Sequence, residues 1–178
     1  YIGSKECVAV DSGTAALHLA LNLADIQGRE VLVPSFTFVT TIHTITYNGG
    51  IPIFVDIEPE TLSIDLSDLE KKINKKTKAV VPVYFGGLPL KMENLKKIAR
   101  EKSLSIIEDA AHACGTKNKN NNVGSENELC CFSFHPIKNL SMPKGGAITI
   151  NANNSKNIKK KLNSLRWCGI DKRLGALY

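Results

Sequence analysis

Short apolar runs alternate with amphipathic segments along nearly the whole chain, and this alternation constrains the fold more than any other feature. The apolar runs have the length of β-strands, whereas the segments between them carry apolar residues at the three- and four-residue spacing of helices. The predicted strands cover residues 7–10, 30–33, 51–55, 79–85, 104–107, 129–134 and 147–150. The predicted helices cover residues 14–24, 38–47, 68–74, 92–102 and a last basic segment that ends near residue 167. Strands and helices that alternate in this way predict an α/β domain with a largely parallel sheet.

Ligands of such a sheet collect at the carboxyl ends of its strands, and four polar motifs lie where predicted strands run out. Asp-Ser-Gly-Thr-Ala-Ala-Leu occupies residues 11–17, and Pro-Ser-Phe-Thr-Phe-Val-Thr-Thr occupies residues 34–41. Glu-Asp-Ala-Ala-His-Ala occupies residues 108–113, and Ser-Phe-His-Pro-Ile-Lys occupies residues 133–138, ahead of a glycine pair at residues 145–146. Because the first motif opens a helix, its unpaired backbone N–H groups and the helix dipole favour a phosphate there.

Each motif also has an ordinary structural interpretation when it is taken alone. A serine or threonine at a helix start is commonly a cap, and an aspartate that follows a strand, such as Asp109, is often one too. Phe38 could belong to the core, and His112 could be a hydrogen-bonded structural histidine. Lys138 could be one of the many lysines that keep a surface hydrated. The motifs therefore indicate a function only as a set.

As an ordered set with these spacings, the motifs resemble the DegT/DnrJ/EryC1/StrS family of sugar aminotransferases, which depend on pyridoxal 5'-phosphate (PLP). The resemblance extends from about residue 8 to residue 169. It implies the aspartate-aminotransferase-like fold type I, a three-layer α/β domain with a mostly parallel central sheet of about seven strands. Since family members are much longer, it also implies that residues 1–178 are the large catalytic domain, and that the N-terminal segment and the small C-terminal domain are absent.

The resemblance assigns a cofactor-binding role to residues of the first, second and fourth motifs. Gly13, Thr14 and Ala15 would hold the cofactor phosphate through close backbone approach and a hydroxyl group, and Ser133 would be a second phosphate ligand. Phe38 would stack on the pyridine ring, where a flat apolar face excludes water and holds the tilt of the ring.

The same resemblance makes Lys138 and Asp109 the predicted catalytic residues. Asp109 would face the pyridine nitrogen, because a nearby carboxylate favours the protonated ring, which is the better electron sink. His112 would lie near the ring hydroxyl. Lys138 would form a Schiff base with the cofactor aldehyde and later transfer protons, which requires that the site lower its pKa from about 10.4.

The resemblance further implies L-glutamate as the amino donor and a nucleotide-linked keto sugar as the acceptor, in the biosynthesis of amino sugars and polysaccharides. It implies a homodimer with shared active sites. Some relatives are dehydratases with histidine in place of the lysine, so Lys138 favours transamination. One departure is Lys144, which precedes the glycine pair where relatives commonly have an acidic residue. Lys144 could depress the pKa of Lys138 as a cationic neighbour, or it could contact substrate.

The formal net charge of +6 raises the possibility of nucleic-acid binding. The densest basic cluster, within residues 156–161, shares its segment with apolar residues at helical spacing, which is typical of the solvated face of an amphipathic helix. An anionic nucleotide-linked substrate suits the sign of the charge equally well. We therefore expect no nucleic-acid partner.

The five cysteines show no C-x-x-C spacing, and three of them lie in or beside apolar strand-like runs. This pattern is typical of reduced thiols in a cytosolic protein. No apolar run reaches the roughly 18 residues of a membrane span, and no signal peptide is visible. The sequence thus predicts a cytoplasmic protein that has no membrane association and no metal site.

Three alternatives to an active aminotransferase stay open at the level of sequence. The chain could be a non-catalytic or regulatory relative that keeps the PLP-binding fold. It could be a PLP-dependent enzyme resembling the sugar dehydratases. A nucleic-acid binder is suggested by the charge alone, although no helix-turn-helix or finger pattern accompanies it.

Overall fold

The structure is a computed structural model that describes residues 1–171 and 176–177. The strands are β1 Glu6–Val10, β2 Glu30–Pro34, β3 Ile51–Val55, β4 Thr77–Val80, β5 Ser105–Asp109, β6 Lys117–Asn118, β7 Asn121–Asn122, β8 Leu129–Ser133, β9 Gly146–Ile150, β10 Ile170–Asp171 and β11 Ala176–Leu177. The helices are α1 Gly13–Leu23, α2 Val39–Tyr47, α3 Leu66–Lys72, α4 Met92–Lys102 and α5 Ser155–Arg166.

Seven of the strands form one sheet in the order β1-β9-β8-β5-β4-β2-β3. The pairs from β8 to β3 are parallel, whereas β9 runs antiparallel to both of its neighbours. The short ribbons β6–β7 and β10–β11 lie outside this sheet. The predicted α/β domain with a mostly parallel sheet of about seven strands is therefore confirmed.

The sheet separates two buried apolar clusters, because successive side chains of a strand point to opposite faces. Val31 and Val33 join the cluster that contains the apolar residues of α1 and α5. Leu32, between them, joins the other cluster, which contains the apolar residues of α3 and α4. Ile45 of α2 packs with the first cluster. The result is the expected three-layer arrangement, with helices on both faces of one central sheet.

The predicted strand at residues 79–85 is too long. Regular pairing ends at Val80, because Pro82 has no N–H group with which to continue the ladder. Val83 makes only an isolated parallel bridge to Asp109. A 3-10 turn then covers Phe85–Gly87, in which Gly86 has a positive φ of 61° that favours glycine. The Asp109 N–H donates to the Pro82 carbonyl and the Tyr84 N–H donates to the Asp109 carbonyl, so the chain stays beside β5 up to this turn.

The other predicted elements are present, with ends that differ by a few residues. Helix α1 starts at Gly13, and helix α3 covers Leu66–Lys72 where residues 68–74 were predicted. None of the helices in the described part of the chain is long and apolar enough to cross a bilayer. The fold brings the start of α1 and the ends of β5 and β8 to the same edge of the sheet.

Candidate active site

A cavity of about 390 Å³ opens at the carboxyl edge of the parallel strands. It receives residues from all four sequence motifs, together with the turn that follows β4. Its lining comprises Ser12, Gly13, Thr14, Leu17, Thr37, Phe38, Thr40, Val83, Tyr84, Phe85, Asp109, Ala111, His112, Ser133, His135, Ile137 and Lys138. The cavity thus brings together seven of the eight predicted site residues, although they are spread over more than a hundred positions of the chain.

The start of helix α1 forms one end of this cavity. Ser12 caps the helix, and its Oγ accepts a hydrogen bond from the N–H of Ala15 at 3.1 Å. Ala15, the eighth predicted residue, does not line the cavity, and its N–H is used within the cap. A Cβ atom added to Gly13 would lie 2.7 Å from Ser133 Cβ. Only glycine lets the helix start approach Ser133 this closely, so backbone N–H groups and hydroxyl groups converge there.

Phe38 and Lys138 face each other across the cavity. Phe38 is the N-cap residue of α2, and 65% of its surface is exposed. The Lys138 Nζ atom lies 6.0 Å from the centre of the Phe38 ring. An aromatic ring with one open face can cover a flat ligand, and a ring as exposed as that of Phe38 contributes little to the core.

Lys138 lies in the tight turn that follows β8, where its N–H donates to the carbonyl of His135 at 2.8 Å. Its side chain is half-buried at the cavity wall. Burial lowers the pKa of the Lys138 amine, and the charge of Asp109 partly opposes this shift. The site therefore makes the amine easier to deprotonate, which is the state in which an amine is nucleophilic.

Asp109 ends strand β5 and is almost completely buried, with 4% of its surface exposed. The Thr41 hydroxyl donates to Asp109 Oδ2 at 2.8 Å, and the N–H of Ala111 donates to Oδ1 at 3.1 Å. Burial raises the pKa of Asp109, while these two hydrogen bonds and the charges of His112 and Lys138 act in the opposite direction. The donors and the cations thus favour the charged carboxylate in a site that would otherwise disfavour it.

His112 lies between this carboxylate and the turn after β4. Its Nδ1 accepts a hydrogen bond from the N–H of Gly86 at 3.2 Å, which leaves Nε2 as the nitrogen that carries the proton in the neutral ring. The Phe85 ring meets it edge-on, with the centroids 5.7 Å apart. Burial is the main cause that lowers the pKa of His112, and the positive charge of Lys138 lowers it further. Both effects favour a neutral imidazole.

Lys144 is exposed and does not line the cavity. Its Nζ atom lies 3.7 Å from Asp11 Oδ2, and both side chains are largely in solvent. An exposed pair of this kind contributes at most about 1 kcal/mol. Lys144 is also not among the causes of the lowered pKa of Lys138.

Two features of the site escaped the sequence analysis. Thr41 is fully buried against Asp109, and its hydroxyl also accepts from the hydroxyl of Thr37. Tyr84 contributes to the cavity and donates its hydroxyl to Glu108, the buried residue beside Asp109 on β5. The signal available for Thr41 was an unusual run of hydroxyl residues in the second motif.

The donor set suits a flat anionic ligand. The start of α1 can hold a phosphate, Phe38 can cover one face of a ring, and Asp109 can pair with a protonated ring nitrogen. Lys138 places an amine beside the same space. Among residues 1–171 and 176–177, no three His, Cys, Asp or Glu side chains come together as metal ligands.

Comparison with known proteins gives consistent matches over nearly the whole chain. The model of the DegT/DnrJ/EryC1/StrS aminotransferase family matches residues 1–177. Uncharacterized protein MJ1066 of Methanocaldococcus jannaschii is 38% identical over 173 residues, which is 97% of this chain and 44% of that protein. Spore coat polysaccharide biosynthesis protein SpsC of Bacillus subtilis is 43% identical over 150 residues, which is 84% of this chain and 39% of that protein.

A solved structure with the same fold is Spr1654 of Streptococcus pneumoniae, described as a sugar aminotransferase. Its PLP form superposes with a TM-score of 0.92 at 30% identity, and the match covers 96% of this chain and 48% of that one. The pyridoxamine phosphate (PMP) form of the same protein also gives a TM-score of 0.92. The aspartate-aminotransferase-like fold type I is therefore confirmed, and the chain spans less than half the length of these relatives.

Proposed function

This chain belongs to the DegT/DnrJ/EryC1/StrS aminotransferase family, and from this we propose that it is the large, cofactor-binding domain of a PLP-dependent sugar aminotransferase. The amino donor is L-glutamate and the acceptor is a nucleotide-linked keto sugar. The observation that carries the proposal is the convergence of an anion-binding helix start, an aromatic surface, a buried carboxylate and a half-buried lysine on one cavity.

The residues of the cavity fit PLP by their chemistry. Gly13 lets the start of α1 approach Ser133 closely, so that backbone N–H groups and the hydroxyls of Thr14 and Ser133 come together, which suits a phosphate group. Phe38 offers an open aromatic face to a ring, and Asp109 is a buried acceptor for the ring nitrogen. Spr1654 is solved in both its PLP and its PMP form, which supports the same cofactor here.

PLP, when bound, supplies an aldehyde that condenses with amines and a ring that accepts the electron pair left when a proton departs. Lys138 Nζ is the amine that would bind this aldehyde covalently. Once the amino donor has released it, the same nitrogen would take the proton from the donor's alpha carbon and deliver it to the former aldehyde carbon of the cofactor, C4′. Asp109 would hold the proton on the ring nitrogen, and Phe38 would exclude water from one face of the ring. Ala15 would support the phosphate site through its N–H, which donates to Ser12 Oγ and fixes the start of α1, and His112 would contact the ring hydroxyl.

The proposed substrates and reaction rest on three kinds of support. SpsC is named for spore coat polysaccharide biosynthesis, and Spr1654 is described as a sugar aminotransferase. Lysine at position 138, where dehydratases of the family have histidine, favours amino transfer over dehydration. The net charge of +6 suits an anionic nucleotide-linked sugar.

We further propose that the protein is a homodimer whose active sites are completed across the interface. Two exposed apolar side chains, Phe38 and Ile137, line the cavity, and Val39, Leu140 and Met142, which are close to them in sequence, are exposed as well. Exposed apolar groups in such a patch are typical of an association surface.

The free cysteines, of which Cys130 and Cys131 are buried, support a reducing compartment such as the cytoplasm.

The proposal is tested by adding PLP to the purified chain and recording its visible absorption. We expect a yellow protein whose band shifts when L-glutamate is added. The Lys138→Ala variant should lose the band, whereas Lys156→Ala, which removes an exposed lysine of α5, should keep it. Incubation with glutamate and a panel of nucleotide keto sugars, followed by mass analysis, should reveal an aminated sugar.

The outcomes of this experiment separate the candidate functions. Colour without a shift upon addition of glutamate would favour a non-catalytic relative that keeps the cofactor site. A dehydrated sugar in place of an aminated one would favour the dehydratase-like alternative. Absence of any band in the wild-type chain would contradict the proposal.

A further inference from the structure

We propose that Thr41 is a positioning residue that orients the Asp109 carboxylate and keeps it charged for the nitrogen of the cofactor ring. The inference rests on the proposed function, because it concerns the same cavity. Thr41 does not line the cavity itself, so it acts through Asp109.

The geometry around Thr41 fixes the direction of its hydroxyl proton. Its Oγ1 lies 2.8 Å from Asp109 Oδ2 and 3.0 Å from Thr37 Oγ1, and its side chain is fully buried. An ionised carboxylate can only accept hydrogen bonds, so the single proton of Thr41 must point toward Asp109. Thr37 must then donate to Thr41. The two hydroxyls form a short relay that runs from the cavity wall to the carboxylate.

Burial makes this contact important. A carboxylate that loses water is stabilised only if its oxygens accept other hydrogen bonds. Asp109 has one donor for each oxygen, namely the Thr41 hydroxyl at Oδ2 and the Ala111 N–H at Oδ1. Of these two donors only Thr41 uses a side chain. Without its hydroxyl, Oδ2 would lose its donor within a site that already raises the pKa of Asp109 by burial.

Thr41 also connects the carboxylate to the aromatic surface. It lies in the first turn of α2, and its N–H donates to the carbonyl of Phe38 at 3.0 Å. One turn of helix therefore carries both the ring that covers the cofactor face and the hydroxyl that holds the acceptor of its nitrogen. A shift of this turn would move both groups together.

The test compares the affinity for PLP in variants of two buried threonines on the same helix. Thr41→Val removes the hydroxyl and keeps the shape, and Thr41→Ser restores a hydroxyl. Thr44→Val is the matched control, because Thr44 is equally buried and its hydroxyl donates to the carbonyl of Thr41, away from Asp109. Titration of each chain with PLP, followed by visible absorption, gives the dissociation constant without any activity measurement.

We expect Thr41→Val to weaken PLP binding about tenfold or more, since a hydrogen bond to a charged group contributes about that factor in affinity. The changes in Thr41→Ser and Thr44→Val should stay below about threefold. Thermal unfolding of each chain shows whether it is folded. If Thr41→Val cannot be purified, Thr41→Ala removes the same hydroxyl.

Three results would overturn the inference. In the first, a folded Thr41→Val or Thr41→Ala chain binds PLP as tightly as the wild type. In the second, Thr44→Val weakens binding as much as Thr41→Val does, so that the effect is general to the packing of α2. In the third, the wild-type chain itself does not bind PLP, which removes the proposed function as well and is thereby distinguished from the first two.

Discussion

The buried carboxyl group of Glu108 should make the stability of the chain depend on pH. Glu108 precedes Asp109 on β5 and therefore points to the opposite face of the sheet, where none of its surface is exposed. Burial raises the pKa of Glu108 to about 7, although the hydrogen bond donated by Tyr84 acts in the opposite direction. The usual value is 4.5, so the folded state holds this proton more tightly than the unfolded chain does.

The sign and size of the effect follow from this difference. A group whose pKa is raised in the folded state contributes stability that is fully present below its unfolded pKa of 4.5 and is lost as the pH rises through its folded pKa of about 7. At about 1.4 kcal/mol for each pKa unit, the complete loss is about 3 kcal/mol. Most of it, about 2–3 kcal/mol, falls between pH 5 and pH 8.

Glu108→Gln isolates this contribution, because glutamine stays neutral at every pH and has nearly the same shape. Urea unfolding at pH 5 and pH 8 gives the free energy of unfolding of both chains. We expect the difference between variant and wild type to move by about 2–3 kcal/mol in favour of the variant between these pH values. Other titrating groups are common to both chains and cancel in the difference.

The Tyr84→Phe variant provides a second test, for which the direction of the change in pH-dependent stability can be stated in advance. It removes the donor that lowers the pKa of Glu108, so the loss of stability with rising pH should become larger than in the wild type. Equal pH dependence in wild type and Glu108→Gln would refute the argument. It would show that Glu108 is hydrated or compensated in the folded chain.

Three further predictions concern the cavity. Gly13→Ala places a Cβ atom 2.7 Å from Ser133 Cβ. Urea unfolding should therefore show a free energy of unfolding that is lower by about 1–2 kcal/mol, and PLP titration should show a weaker affinity. Unchanged values of both would contradict the close approach. Phe38→Ala should weaken PLP binding while changing the free energy of unfolding by less than about 1 kcal/mol, because the ring is 65% exposed. A large loss of stability would instead make Phe38 a core residue. Asp109→Asn should leave the circular dichroism spectrum unchanged. It should slow amino transfer about tenfold to a hundredfold, because the charge beside the ring nitrogen is lost. Transfer at the wild-type rate would contradict a role of Asp109 in the site.

Local periodicity was sufficient to predict most of the fold. Alternating burial requires apolar runs in central strands and apolar stripes on helices, and both are visible in the linear sequence. The error at residues 79–85 arose because an apolar run continues beyond Pro82, which ends the regular pairing of the strand. A proline inside a predicted central strand is a signal that could have shortened it.

The sequence predicted the composition of the cavity better than its internal contacts. Gly13, Phe38, Asp109 and Lys138 could be grouped because their motifs resemble those of a known family, and because parallel strands deliver their ends to one edge of a sheet. The hydrogen bond between Thr41 and Asp109 joins residues 68 positions apart, and nothing in their order along the chain indicates it. Such contacts depend on how helices pack on the sheet, which residue patterns do not specify.

The exposure of single side chains was equally hard to predict. Phe38 and Lys144 could each have been buried or exposed as judged from the sequence. In the structure, the aromatic ring is open at the cavity wall and the lysine lies in solvent outside the cavity. The position of each residue relative to the cavity mouth determines whether its side chain is exposed. That position depends on the conformation of the turns after β4 and β8, which the sequence pattern does not give.

The central claim is that the amine of Lys138 is the group that binds PLP covalently. The most direct test is to add PLP to the chain, reduce the mixture with borohydride, digest the protein and locate the modification by mass spectrometry. We expect one phosphopyridoxyl group on the peptide that contains Lys138, and none in Lys138→Ala. A modification spread over exposed lysines, or an unmodified Lys138 in a chain that binds PLP, would contradict it.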